Sequence, residues 1–108
     1  MLDQTRRWVL TRLQDKLTLA DLARHANVSV RTLNRRFRAE TGMSPLQWLL
    51  QLRVDRAREL LETTDLSVSV IAHRSGIGTI DSLRDHLVRR TGLIPRAYRA
   101  TFTHTPRQ

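Results

Sequence analysis

Cysteine is missing from the chain altogether, which excludes disulfides and thiolate metal sites and suits a reducing cytoplasm. Lysine is nearly missing too: Lys16 is the single example among nineteen basic residues, and the other eighteen are arginine. Acidic residues number only ten, which leaves a formal net charge of +9. No apolar run approaches the roughly 18 residues that a membrane-spanning helix needs. The opening "MLDQTRRWVL" has neither the apolar stretch nor the small-residue cleavage site of a secretory signal. Five aromatic residues, most of them at core spacing, offer little for single-stranded bases to stack on, so an RNA-binding module is poorly supported. The glycines form no phosphate-cradling loop. His25, His73, His86 and His104 are dispersed, without carboxylates at ligand or general-base spacing, so neither a metal site nor an enzyme active site is expected.

What is there is a small arginine-rich domain, or two very small subdomains sharing one element. The cationic excess favours a polyanionic partner, nucleic acid ahead of an anionic membrane. Arginine in place of lysine adds information, because its planar fork meets phosphate and guanine bidentately, although arginine-rich usage also follows from genome composition.

Nearly every segment reads as helix, and no alternating apolar run bounded by hairpin signals predicts a strand. "LDQTRRWVLTRLQDKL" places Trp8, Val9, Arg12 and Leu13 along one side of an amphipathic first helix. Thr18 opens "TLADLARHA" with Asp21 three residues on, a capping-box pattern, and Asn27 suits a left-handed C-cap. Ser29 caps the next helix, which stops at Gly42. Ser44-Pro45 opens a longer helix whose apolar side is Trp48, Leu49, Leu52, Ala57, Leu60 and Leu61.

The chain then repeats itself. Leu17, Leu22 and Ala23 correspond to Leu66, Ile71 and Ala72, 49 residues later. Ser29, Leu33, Phe37, Thr41-Gly42, Pro45 and Trp48 correspond to Thr79, Leu83, Leu87, Thr91-Gly92, Pro95 and Tyr98, 50 residues later, because Gly78 is an extra residue in the second turn. Repetition of caps, turn glycine and apolar pattern together is stronger evidence than either half alone. Trp48 and Tyr98 read as core anchors rather than stacking platforms.

Each half is a helix, a tight turn and a second capped helix, the helix-turn-helix pattern, whose second helix can lie in a major groove. With Leu33 and Phe37 turned inward at about 100° per residue, the opposite face carries Arg31, Asn34, Arg35 and Arg38, with Thr32 at one edge. Arginine suits guanine O6/N7 and asparagine suits adenine N6/N7, so this set of side chains can read bases. A solvated charged face is the bland alternative, and it would be preferred for one isolated helix. Arg36 lies beside the core stripe, directed to a phosphate or a neighbouring acid. The second copy turns Asp81, Arg84, Asp85 and Val88 outward, with Ser82 at one edge. Two aspartates in a phosphate-lined groove are unfavourable unless each accepts from cytosine N4 or orients an arginine, and Asp81 is spaced to pair with Arg84. This half is therefore expected to read sequence more weakly. Arg74, Arg89, Arg90, Arg96 and Arg99 supply cations for backbone contact there.

These residues support a resemblance. Leu33-x3-Phe37, Thr41-Gly42, Ser44-Pro45, Arg53-Val54-x2-Ala57-x2-Leu60-Leu61, Ile71-Ala72, Gly76, Gly92 and Pro95-x2-Tyr98-Arg99 together resemble the DNA-binding domain of AraC/XylS-type transcription regulators, over about residues 5–102. The resemblance implies an all-α, homeodomain-like fold of about seven helices filling residues 1–108. It implies a first helix-turn-helix subdomain at 5–45, a linker helix at 46–63, a second subdomain at 64–102 and a tail at 103–108. The function implied is sequence-specific binding of double-stranded DNA by a bacterial transcription regulator, of the activator kind. Recognition helices at about 29–40 and 79–90 would enter successive major grooves. By the same resemblance Arg31, Thr32, Asn34 and Arg35 fall on base-facing positions of the first helix, and Ile80, Asp81, Arg84 and Asp85 on those of the second. The caps Ser29 and Thr79, with Arg36, Arg38, Arg74, Arg89, Arg90 and Arg96, are assigned to the DNA backbone. No cofactor, metal or membrane is implied, and docking on RNA polymerase is compatible with the same surface.

The sequence departs from the family at Ile77 and Leu87, where aromatics are frequent, and at Ile80 and Asp81, where polar residues are more usual. "GTIDSLRDHLVRRTGLIPRAYRATF" looks most like the subgroup with an amidotransferase-like N-terminal domain. On that likeness the chain is expected to be a C-terminal portion, or a short form, without an effector or dimerisation domain.

Overall fold

The computed structural model describes residues 2–102, and among them every regular element is helical. The order is α1 (Leu2–Leu10), α2 (Leu19–Ala26), α3 (Val30–Thr41), α4 (Pro45–Thr63), α5 (Val68–Arg74), α6 (Ile80–Thr91) and α7 (Pro95–Ala100). The tail at 103–108, and with it His104, lies outside the described residues. The chain divides after Leu52, inside α4, into two compact units, each with its own apolar core. No helix among the described residues is long and apolar enough to cross a membrane.

In the first unit, α1 is shorter than its apolar periodicity suggests. The Thr11 amide and hydroxyl both donate to the Trp8 carbonyl, and the Arg12 amide donates to that of Val9 at 2.8 Å. These three-residue bonds tighten the last turn and end the helix, and Leu13 still enters the core from the segment beyond. Thr18 and Asp21 form the reciprocal capping box, each amide donating to the other's side chain at 2.9 and 3.1 Å. The amide of Thr18, foremost among these bonds, holds the Asp21 carboxyl below its ordinary range. Asn27 then takes the left-handed conformation at φ 58°, and the Val28 amide reaches back to the Ala23 carbonyl. Ser29 restarts the chain as a helix by accepting from the Thr32 amide at 3.1 Å. Leu33 and Phe37 are wholly buried, and Trp48 meets the Phe37 ring edge-on at 4.9 Å.

The second unit repeats this with one adjustment. Ser67 caps α5, and Gly76 occupies the left-handed position that Asn27 holds in the first copy. The long bond back to the helix is made by the extra residue: the Gly78 amide donates to the Ala72 carbonyl at 2.7 Å. Gly78 has φ 108°, a value that L side chains rarely adopt, so the insertion needs glycine. Ile77 packs against the core and Leu87 is fully buried, so aliphatic residues fill both of these places.

Both copies close α3 and α6 alike. The Thr41 hydroxyl donates to the Phe37 carbonyl and accepts from the Met43 amide, and Thr91 does the same with Leu87 and Leu93. Gly42 and Gly92 follow at φ 75° and 80°. What comes next differs. Ser44 and Gln47 form a second capping box at the start of α4, whereas Ile94 before Pro95 caps nothing with its side chain.

Candidate nucleic-acid interface

On α3 the two buried anchors fix which residues face outward. Arg31, Asn34, Arg35 and Arg38 are exposed, and Thr32 is half-buried at the edge. Among the described residues none of Arg31, Asn34, Arg35 and Arg38 has a side-chain hydrogen bond or ion pair within the chain. Desolvated, unpaired cations are costly, but exposed ones remain available to an anion at little cost. Arg36 is exposed and stands off this outward face.

Residues equivalent in the repeat occupy the same places on α6 with different chemistry. Asp81 stands where Arg31 does, Asp85 where Arg35 does, Arg84 where Asn34 does and Val88 where Arg38 does. Leu83 and Leu87 point inward, both fully buried. Ile80 and Val88 are 44% and 39% exposed, so neither belongs to the core. No ion pair joins Asp81 or Asp85 to Arg84, although their spacing permits one.

The residues assigned to the DNA backbone fall into three groups. Ser29 and Thr79 are helix caps whose oxygens already accept the Thr32 and Ser82 amides; Ser29 also donates to the Thr32 hydroxyl. Arg38, Arg74, Arg89 and Arg96 are exposed and take part in no ion pair among the described residues. Arg90 is different, because its Nη1 lies 3.0 Å from Asp55 on α4. Arg99, counted from sequence with the backbone cations, is committed inside the fold. Its guanidinium donates to the carbonyls of Leu61, Thr64 and Leu66, at 3.3, 3.1 and 2.7 Å. Those are end carbonyls of α4 and the residues after it, which have no partner in the helix.

Sequence reasoning also missed the network beside Arg99. Arg58 on α4 donates to the Tyr98 hydroxyl, which donates to Glu62. Burial, with the bond to Glu62, pushes the Tyr98 phenol above its ordinary range. A clue was present: Arg99 falls where the first copy has Leu49, a buried leucine, so its cation needed an internal partner. Of the histidines, His25 stacks on Trp8 at 4.3 Å, and no three His, Cys, Asp or Glu side chains among the described residues converge as metal ligands.

The model of a helix-turn-helix domain matches residues 22–101. The HTH-type transcriptional regulator Rv1931c of Mycobacterium tuberculosis is 37% identical over 84 residues, which are 78% of this chain and 32% of that protein. The HTH-type transcriptional activator RhaS of an Enterobacter species is 33% identical over 98 residues, 91% of this chain and 35% of that one. The chain therefore spans about a third of the length of the curated relatives it matches. Among solved structures, the DNA-binding domain of the global transcriptional factor AdpA, in complex with a target DNA, superposes with a TM-score of 0.86. It is 44% identical, over 94% of this chain and 91% of the other. A transcriptional regulator from Chromobacterium violaceum, of the group with AraC-type DNA-binding domains, gives a TM-score of 0.88 at 27% identity, over 97% and 94%.

Proposed function

The chain belongs to the AraC-type helix-turn-helix family, and on that premise we propose that it is the part of a transcription regulator that binds duplex DNA by sequence. In this reading 5–45 and 64–102 are two helix-turn-helix subdomains with 46–63 linking them, and α3 and α6 enter successive major grooves. Arg31, Thr32, Asn34 and Arg35 read bases from α3, and Ile80, Asp81, Arg84 and Asp85 face the second groove. Ser29, Arg36, Arg38, Arg74, Thr79, Arg89, Arg90 and Arg96 hold the backbone, which supplies affinity and salt dependence without sequence information. Among these, Arg90 has to leave Asp55 to do so.

The observation that carries the reading is the outward face of α3, where Arg31, Asn34, Arg35 and Arg38 stand exposed and unpaired opposite two fully buried anchors. Hydrogen-bonding forks left free on a helix that a turn and two caps hold in place are suited to guanine and adenine edges. The curated relatives are regulators, and we read this chain likewise as non-catalytic and cytoplasmic, with RNA polymerase as a compatible further partner.

Selection of bound duplexes from a random pool tests the proposal. Two base-specific elements about 10 bp apart are expected. A single protected element would mean that α6 is not inserted. Equal, purely salt-controlled affinity for duplex DNA, single-stranded DNA and RNA would remove the sequence-specific reading altogether.

A further inference from the structure

The two recognition helices share a frame and differ in the sign of their outward charge. At the two places most nearly opposite the buried anchors, α3 carries Arg31 and Arg35 where α6 carries Asp81 and Asp85. A carboxylate only accepts hydrogen bonds, whereas a guanidinium only donates them. In the major groove guanine presents two acceptors, which suit α3 and repel α6. Cytosine presents the N4 amino donor, which suits α6 and repels α3.

Helix stability accounts for one of these acids at most. Asp81 lies in the first turn of α6, where a negative charge gains from the helix dipole. Asp85 lies a turn later, where that gain has faded, and neither acid is tied to Arg84 by an ion pair. The apolar residues on this helix are exposed rather than packed, Ile80 in the same place as the exposed Val30 of α3. Val88 stands where α3 has Arg38, and it and Ile80 are well exposed on a surface that is otherwise strongly charged. An exposed methyl-bearing side chain next to a base-facing acid matches one further major-groove feature, the C5-methyl of thymine.

We infer that α6 is a pyrimidine reader: Asp81 and Asp85 accept from cytosine amino groups, and Val88 and Ile80 lie against thymine methyls. The operator is then purine at the bases contacted by the arginines of α3 and pyrimidine at those contacted by Asp81, Asp85, Val88 and Ile80, with Arg84 left to a guanine or a phosphate. The inference rests on the proposed base-reading function and specifies the chemistry of its second half. It also accounts for the weaker reading expected there, because a methyl contact and a single amino bond discriminate less than a bidentate arginine on guanine.

The test uses the chain with duplexes selected from a random pool, then the selected site with single changes. For the wild type, the α6 element should show cytosine and thymine on the contacted strand. Asp85→Ala should bring one cytosine preference close to parity and Asp85→Asn should shift it toward adenine, both leaving the α3 element's preferences intact. Deoxyuridine in place of a contacted thymine should weaken wild-type binding about four-fold, the worth of one buried methyl, and should have no effect on Val88→Ala or on Ile80→Ala, according to which residue meets that methyl. Base preferences unchanged in both Asp85 variants, or affinity rising equally for every sequence, would overturn the inference and identify the acids as general repellents. A purine-specific α3 element beside an α6 element without preference would overturn it as well, leaving the proposed function standing. Selection of no sequence at all would remove the function and the inference together.

Discussion

Arg58 donates from Nε to the Tyr98 hydroxyl at 3.1 Å, tying α4 to α7 through two side chains 40 residues apart. The same hydroxyl donates to Glu62, so Tyr98→Phe removes an acceptor and a donor at once. Its charged partners keep access to water, and the expected loss is about 0.5–1.5 kcal/mol in urea unfolding. The pH dependence follows from the direction of the shift. The folded phenol titrates above the unfolded value of about 10, so its contribution is complete below that pH and is lost as pH rises through the folded value. Melting temperatures of wild type and Tyr98→Phe should therefore converge above pH of about 10, and a constant gap up to pH of about 11 would contradict this account.

Arg35→Ala, or Arg31→Ala, should cost roughly 1–3 kcal/mol on the selected site and relax the base preference at one position. Both residues are exposed and unpaired, so folding stability should move little. Comparing selected-site profiles of wild type and variant measures this, and an unchanged preference at every position would refute base reading by these side chains.

Arg99→Met keeps the apolar stem and removes the three bonds to the end of α4. Stability should fall by roughly 1.5–3 kcal/mol, because three partly buried carbonyls lose a charged donor. The slope of log affinity against log salt should stay where it was. Unaltered stability with a slope reduced by about one would instead mark Arg99 as a phosphate contact.

Asp55→Ala should do the reverse on the DNA side. It releases Arg90 from a partly exposed ion pair whose loss costs at most about 1 kcal/mol of stability. A cation is freed and an anion removed, so affinity for unrelated duplexes should rise and the salt slope should steepen. Fluorescence anisotropy over a salt series reads both quantities, and a steady slope would show that Arg90 does not reach phosphate.

Much of the fold was legible because its signals are local. Thr18, Asn27, Ser29, Gly42 and Gly92 each act within a few residues, so their types and spacing suffice to place the caps. Periodicity found the inward residues of α4, since burial repeats with the helical turn. It extended α1 to Leu17 because Leu13 continues the apolar pattern, while the competing bonds from Thr11 and Arg12 leave no mark on periodicity. The long-range partners were illegible for the same reason. Arg90 with Asp55, and Arg99 with the end of α4, meet across 33 to 38 residues through the tertiary fold. Of the candidate site, the outward face of α3 could be derived from two anchors and a helical angle. On α6 the same derivation identified the outward residues but left open whether the two acids serve cytosine or orient Arg84.

The closing bonds at Thr41 and Thr91 use one hydroxyl and the backbone, and none of the outward side chains takes part in them. The structural identity of each helix is thereby kept apart from its binding preference. Between the two copies, cap and closure are maintained while every residue on the outward face has been exchanged, even to the opposite charge. A protein built in this way can be retargeted by substituting a handful of exposed residues, without searching again for a sequence that folds.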